Sequence, residues 1–150
     1  MDALEQCDLC VHSGNSIDKG DLMPLWLIIG VGSFIGGILR FLVSGWIQSG
    51  AITFPLGTLG VNFLGSFILS LVMYLSEYAG LFSEEVRVFW SIGLIGSFTT
   101  MSTFSYESFR LLEQNETLLF GLNIAGTLIL TLAAVFMGKV IVLNLMMGVK

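Results

Sequence analysis

Charge is scarce in this chain: six Lys or Arg and eleven Asp or Glu in 150 residues, 11% of the whole, against roughly a quarter in an average soluble protein. That scarcity excludes an ordinary soluble domain, the more so because Asp2, Glu5, Asp8, Asp18, Lys19 and Asp21 already stand in the first 21 residues. No basic stripe exists to meet nucleic acid. Cysteine and histidine are scarce as well, with Cys7, Cys10 and His12 as the whole supply. Three donors are one short of a closed zinc site, and Val11 stands where covalent haem attachment needs His. Residues 1–21 therefore read as a polar, disordered tail. Its start lacks a basic segment followed by an apolar one, so no cleaved signal is expected and the first helix should stay in the protein.

What the chain has in abundance is apolar length, at 55% hydrophobic residues. Four windows carry no charge at all: residues 22–39, 41–76, 88–106 and 117–138. About 20 helical residues cross a hydrocarbon core of about 30 Å. The pattern predicts an all-α membrane protein with four transmembrane helices near 24–47, 56–76, 87–106 and 117–138, the last running on if Lys139 is tolerated. Trp26, Trp46, Tyr74, Tyr78, Trp90 and Tyr106 fall near span ends, where amphipathic rings sit among headgroups. An even number of spans puts both termini on one side. Lys19, Arg87, Lys139 and Lys150 lie there, with Arg40 and Arg110 nearer the other. This charge bias is weak and allows insertion in either direction.

Small and polar residues punctuate the spans. Gly32 with Gly36, and Ser33 with Gly37, permit close helix approach on the first helix, and Gly57, Val61 and Gly65 continue the pattern on the second. Thr58, Asn62, Ser66 and Ser70 recur every four residues and share one face. Asn123, Thr127 and Thr131 do the same on the fourth helix. Hydroxyls can return to their own helix backbone. A carboxamide cannot, so Asn62 either bonds across a helix interface or faces a permeant species. On the third span, hydroxyls at 97, 99, 100, 102, 103, 105 and 106 follow no helical period. With Gly93 and Gly96 beside them, they predict a break at mid-membrane whose freed carbonyls are satisfied by protein or by an ion.

Three stretches in this order, Gly36 to Phe41, Pro55 to Ser66 and Gly96 to Glu107, make the chain resemble the Fluc (CrcB) fluoride channels of microbes. The resemblance covers nearly everything after the tail. It implies residues 22–150 as one channel domain in the cell membrane, assembled as an antiparallel dual-topology dimer with two fluoride pores. The dimer would be a homodimer or a pair with a related second subunit. It also implies a structural Na+ on the main-chain carbonyls of Gly96 and Thr99. Asn62, Ser102, Thr103, Phe104, Thr127 and Thr131 match pore positions, Arg40 the vestibule arginine and Glu107 the acidic residue after the aromatic box. Met101 stands where the family has the first box phenylalanine. A Phe edge presents the positive part of its quadrupole to an anion, whereas Met offers a polarizable thioether and a methyl.

Rival classes fit less well. A small proton-coupled multidrug exporter needs a carboxylate in its first helix, and residues 22–47 contain none. A silent partner subunit has Met101 in its favour. No nucleophile, base and orienting group occur together in the membrane, so no enzyme is expected.

Overall fold

The structure, a computed structural model, describes residues 22–50 and 53–147. The Cys7, Cys10 and His12 tail lies outside the described residues. Everything regular among them is helical: α1 (Leu22–Gln48), α2 (Leu56–Ala79), α3 (Glu84–Val88), a π-helical stretch (Phe89–Ile95), α4 (Gly96–Phe98), α5 (Met101–Glu113) and α6 (Thr117–Met147). Three helices are individually long and apolar enough to cross a membrane, namely Leu25–Gln48, Leu56–Ala79 and Thr117–Met147. The region expected as a third span with a break in it, 87–106, is divided into segments that extend from 84 to 113. The fourth helix continues past Lys139, whose ammonium lies 5.4 Å from the centre of the Tyr74 ring. That cation–π contact lets the charge remain on an otherwise apolar helix.

Side chains and backbone at the ends explain where helices start and stop. Gln48, at the end of α1, accepts from the Gly57 N–H through Oε1 at 2.9 Å and donates to the Phe54 carbonyl through Nε2 at 3.1 Å. One orphan donor of the first turn of α2 is thereby satisfied. Gly80 ends α2 in the left-handed region at φ 59°, its N–H on the Ser76 carbonyl at 3.1 Å, a conformation that costs glycine nothing.

Packing follows the small residues. At Gly32 an added Cβ would stand 3.0 Å from the Gly93 Cα, and at Gly36 it would overlap the Leu94 carbonyl oxygen. Ser33 Oγ also donates to the Gly93 carbonyl at 3.4 Å. Gly37, paired with Ser33 in the sequence pattern, has open space around its Cβ position. On the other side of the bundle Ser70 Oγ donates to the Val135 carbonyl at 2.7 Å, and a Cβ at Gly138 would come within 2.6 Å of that hydroxyl. Leu59 meets Gly126 further toward the start of both helices, so α2 and α6 run parallel. The apolar bulk points outward: Trp26, Phe34, Phe41, Leu132 and Phe136 are all exposed. An outer surface of this kind suits lipid, in which helices associate by close packing rather than by hydrophobic force. This is a multi-pass membrane protein.

Candidate functional site

The polar stripe of α2 faces inward, with Thr58, Asn62 and Ser70 buried. Asn62 meets the main chain of Thr100 twice: Nδ2 donates to the Thr100 carbonyl at 3.0 Å, and Oδ1 accepts from the Thr100 N–H at 2.8 Å. Of the two readings open for this amide, the structure realises the interface bond, and a second Nδ2 hydrogen remains for another acceptor. Gly65, one helical turn beyond Asn62 toward α4, has no room for a side chain. A Cβ there would overlap the Thr99 Cγ2 methyl.

Helical order ends at Phe98 and resumes at Met101, with Thr99 extended at ψ 159° and Thr100 at φ −150°, ψ 120°. Thr100 then caps α5, its Oγ1 accepting from the Thr103 N–H at 3.2 Å. In an unbroken helix the N–H of residue 100 would bond to the carbonyl of residue 96, and that of 103 to the carbonyl of 99. Here the first goes to Asn62 and the second to the Thr100 hydroxyl. The carbonyls of Gly96 and Thr99 are thus relieved of their helical donors by two identifiable side chains. Gly96 is exposed on the outer face of the chain and Thr99 is half-buried.

A hydroxyl cluster follows. Thr100 Oγ1 lies 2.9 Å from Thr103 Oγ1 and 3.3 Å from Ser102 Oγ. Ser102, Thr103 and Met101 all open outward, and Met101 is 71% exposed. Phe104, by contrast, is buried. Its carbonyl accepts from Ser108 Oγ at 2.7 Å, which in turn accepts from Asn123 Nδ2 at 2.9 Å. The position of Asn123 on the polar stripe of the fourth helix was legible in the sequence, but its attachment to Ser108 was not. Replacing Ser108 by Ala strands the Asn123 amide, which is only 1% exposed. It should cost about 1–3 kcal/mol, read as a lower thermal midpoint of the purified protein in detergent. An unchanged midpoint would mean that Asn123 has found another acceptor.

The two α6 hydroxyls differ. Thr131 Oγ1 donates to the Thr127 carbonyl of its own helix at 2.7 Å, the backbone return open to any membrane threonine. Thr127 Oγ1 is buried without a hydrogen-bond partner. A donor left so is costly and calls for an acceptor from outside the chain.

At the end of the bundle where α1 hands over to α2, a cleft of about 560 Å³ is walled by Gln48, Thr53, Tyr106, Glu107, Arg110 and Gln114, among others. Glu107 turns toward the Thr58 side chain, its Oε2 covered and unpartnered. Arg110 donates instead to the Tyr106 hydroxyl at 3.4 Å. Arg40, the residue expected at a vestibule, is half-exposed on α1 and does not line this cleft. The sequence marked Arg110 by its nearness to a span end and as a candidate partner for Glu107 three residues before it.

Residues 27–139 match the family described as CrcB-like protein, Camphor Resistance (CrcB). A Methanosarcina acetivorans protein named fluoride-specific ion channel FluC 1 is 58% identical over 119 residues, covering 79% of this chain and 91% of the relative. The fluoride-specific ion channel FluC 3 of Methanosarcina barkeri is 49% identical over 118 residues, 79% and 89% of the two chains. A further relative, the fluoride-specific ion channel FluC of Geotalea daltonii, is 38% identical over 117 residues, 77% and 94% of the two chains.

Proposed function

The chain belongs to the CrcB family, and from that premise we propose that it is a fluoride-selective, passive ion channel of the cell membrane that releases fluoride and so relieves its toxicity. The observation that carries this reading is the character of the buried polar set. Thr58, Asn62, Ser70, Ser91, Thr100, Ser108, Asn123 and Thr127 are all neutral. A strongly hydrated anion gives up its water only to donors in a narrow path, and a fixed cation among them would hold it too tightly to let go. Neutral amide and hydroxyl donors meet both demands. The same set contains no carboxylate of the kind that a proton-coupled exporter exchanges across the membrane.

In this reading α3, the π-helical stretch, α4 and α5 together make a fourth crossing, broken at Thr99 and Thr100. Two copies in opposite orientation enclose two pores, each lined by Asn62, Met101, Ser102, Thr103, Phe104, Thr127 and Thr131. The exposure of Met101, Ser102 and Thr103 supports this, since residues on the outer face of one chain line a path only when a second chain closes it. Main-chain carbonyls suit a hard cation. Those of Gly96 and Thr99, freed by Asn62 and Thr100, fit the Na+ that the family implies. Bound there, it would hold the two copies together.

Met101 favours one second reading, a subunit that works beside a related chain carrying the missing ring. Fluoride and chloride efflux from liposomes holding only this protein, with a potassium ionophore to clamp the voltage, separates the cases. Rapid fluoride release without chloride release is expected. A folded dimer that releases no fluoride would leave the partner-subunit reading or a different substrate.

A further inference from the structure

We propose that Lys139, Tyr74 and Tyr78 form a binding site for the phosphate of an anionic membrane phospholipid, whose acyl chain lies along Phe136 and Leu132. Lys139 is the only charged residue of α6. It sits about 33 Å along that helix from Thr117. Gly138 lies against Ser70 where α2 and α6 run parallel, and α2 ends nine residues later at Ala79. Lys139 is therefore within about 14 Å of the end of α2. Tyr74 and Tyr78 occupy this last stretch, stacked with ring centres 5.9 Å apart and planes 11° from parallel. Rings of this kind mark the depth at which headgroups begin. The ammonium of Lys139, carried on a flexible stem, stands 5.4 Å from the centre of the Tyr74 ring. The site is independent of which ion crosses the protein.

What this ammonium lacks is an acceptor. It carries three donors, and a ring face offers it negative potential but no lone pair. Among the described residues, neither the ammonium nor the hydroxyls of Tyr74 and Tyr78 have a hydrogen-bond or ion-pair partner. Glu77, the nearest acid in sequence on α2, is exposed and stands about 100° round the helix from Tyr78. A phosphate accepts from ammonium and hydroxyl alike, and it is the anion that a membrane holds at this depth. Free phosphate would satisfy the same donors, but the surface beneath them suits a lipid. Phe136 and Leu132 are 67% and 68% exposed, on the same face of α6 as Lys139 and one and two turns nearer the middle of the membrane. A cation above an apolar strip matches a phosphate above an acyl chain, whereas a soluble anion uses only the first. A choline headgroup brings its own cation to compete with Lys139, so the site favours phosphatidylglycerol over phosphatidylcholine.

Full-length protein in detergent is titrated with phosphatidylglycerol or with phosphatidylcholine of the same acyl chains, and the thermal midpoint is followed. Wild type should reach its half-maximal shift at about fivefold less phosphatidylglycerol, the factor that one lysine contributes beside an anionic membrane surface. Lys139→Gln should need equal amounts of the two lipids, and Lys139→Arg should keep the preference. No preference in wild type, or one that survives Lys139→Gln, would overturn the site. Millimolar inorganic phosphate should leave the midpoint unchanged, and a shift as large as the lipid's would overturn the lipid as ligand. A second readout uses wild type alone. Phosphatidylglycerol with a photoactivatable diazirine in its headgroup should, after irradiation, label the peptides that hold Tyr74 to Tyr78 and Lys139, as mapped by mass spectrometry. Labelling confined to other segments would equally overturn the site.

Discussion

Asn62→Asp should abolish fluoride efflux, lowering it by at least a hundredfold, and should lower thermal stability as well. The native amide gives Oδ1 to the Thr100 N–H and Nδ2 to the Thr100 carbonyl, at 2.8 and 3.0 Å. Aspartate keeps the first bond and reverses the second, setting a carboxylate oxygen against a carbonyl oxygen at a site 8% exposed. Breaking a buried polar pair so that like partial charges face one another costs about 3 kcal/mol or more. The break itself depends on this amide. Unless the Thr100 N–H is held by residue 62, it is free to return to the Gly96 carbonyl and continue the helix. A negative charge beside the anion path adds to the loss, because the donor that remained on Nδ2 is gone too. Asn62→Ala separates the two effects: it removes both bonds to Thr100 without adding charge, so it should destabilise comparably yet retain some flux. Efflux assays and thermal unfolding on the same preparations make the comparison. Undiminished flux in folded Asn62→Asp protein would show that residue 62 does not line the path.

Much of this arrangement could be read from the sequence because membranes impose strict periodicities. Three of the four predicted spans became single helices, with α2 ending at Ala79 rather than 76 and α6 running on past Lys139 to Met147. The aperiodic hydroxyls between 97 and 106 marked the region where helical order stops, and it stops at Thr99 and Thr100. What stayed illegible was whatever the main chain supplies. The partner of Asn62 is a peptide group, and peptide groups look alike in a sequence. The π-helical stretch over Phe89–Ile95 is likewise a matter of one extra residue per turn, for which Gly93 and Gly96 give room but no signature. Thr127 and Thr131 sit on one stripe with equal claims, and only their surroundings distinguish a hydroxyl bonded to its own helix from one left open. The cleft joins α1, the following turn and α5, residues far apart in the sequence that only folding brings together.

Gly36→Ala is expected to have the largest effect on assembly. Its added methyl would overlap the Leu94 carbonyl oxygen and stand 3.0 Å from the carbonyl carbon. A side chain in the way can rotate aside, but a peptide group cannot, so α1 must separate from the π-helical stretch along its length. Gly32 meets Gly93 at the same crossing, with only 3.0 Å to its Cα. Overpacking of this kind costs about 1–3 kcal/mol, and toward the upper end where backbone is the obstacle. Leu94 precedes Gly96 by two residues, so a shift in the π-helical stretch displaces the carbonyls at the break and should reduce fluoride flux together with stability. Gly30 and Gly37 provide the contrast, since each has open space around its Cβ position within the chain. Gly30→Ala should be neutral or slightly stabilising, because alanine is favoured over glycine in a helix by about 1 kcal/mol. Gly37→Ala should match Gly30→Ala if that face meets lipid, and match Gly36→Ala if a second copy packs against it. Thermal midpoints and the dimer fraction on size exclusion decide between these. A Gly36→Ala protein with the wild-type midpoint would mean that α1 and the π-helical stretch do not touch in the membrane.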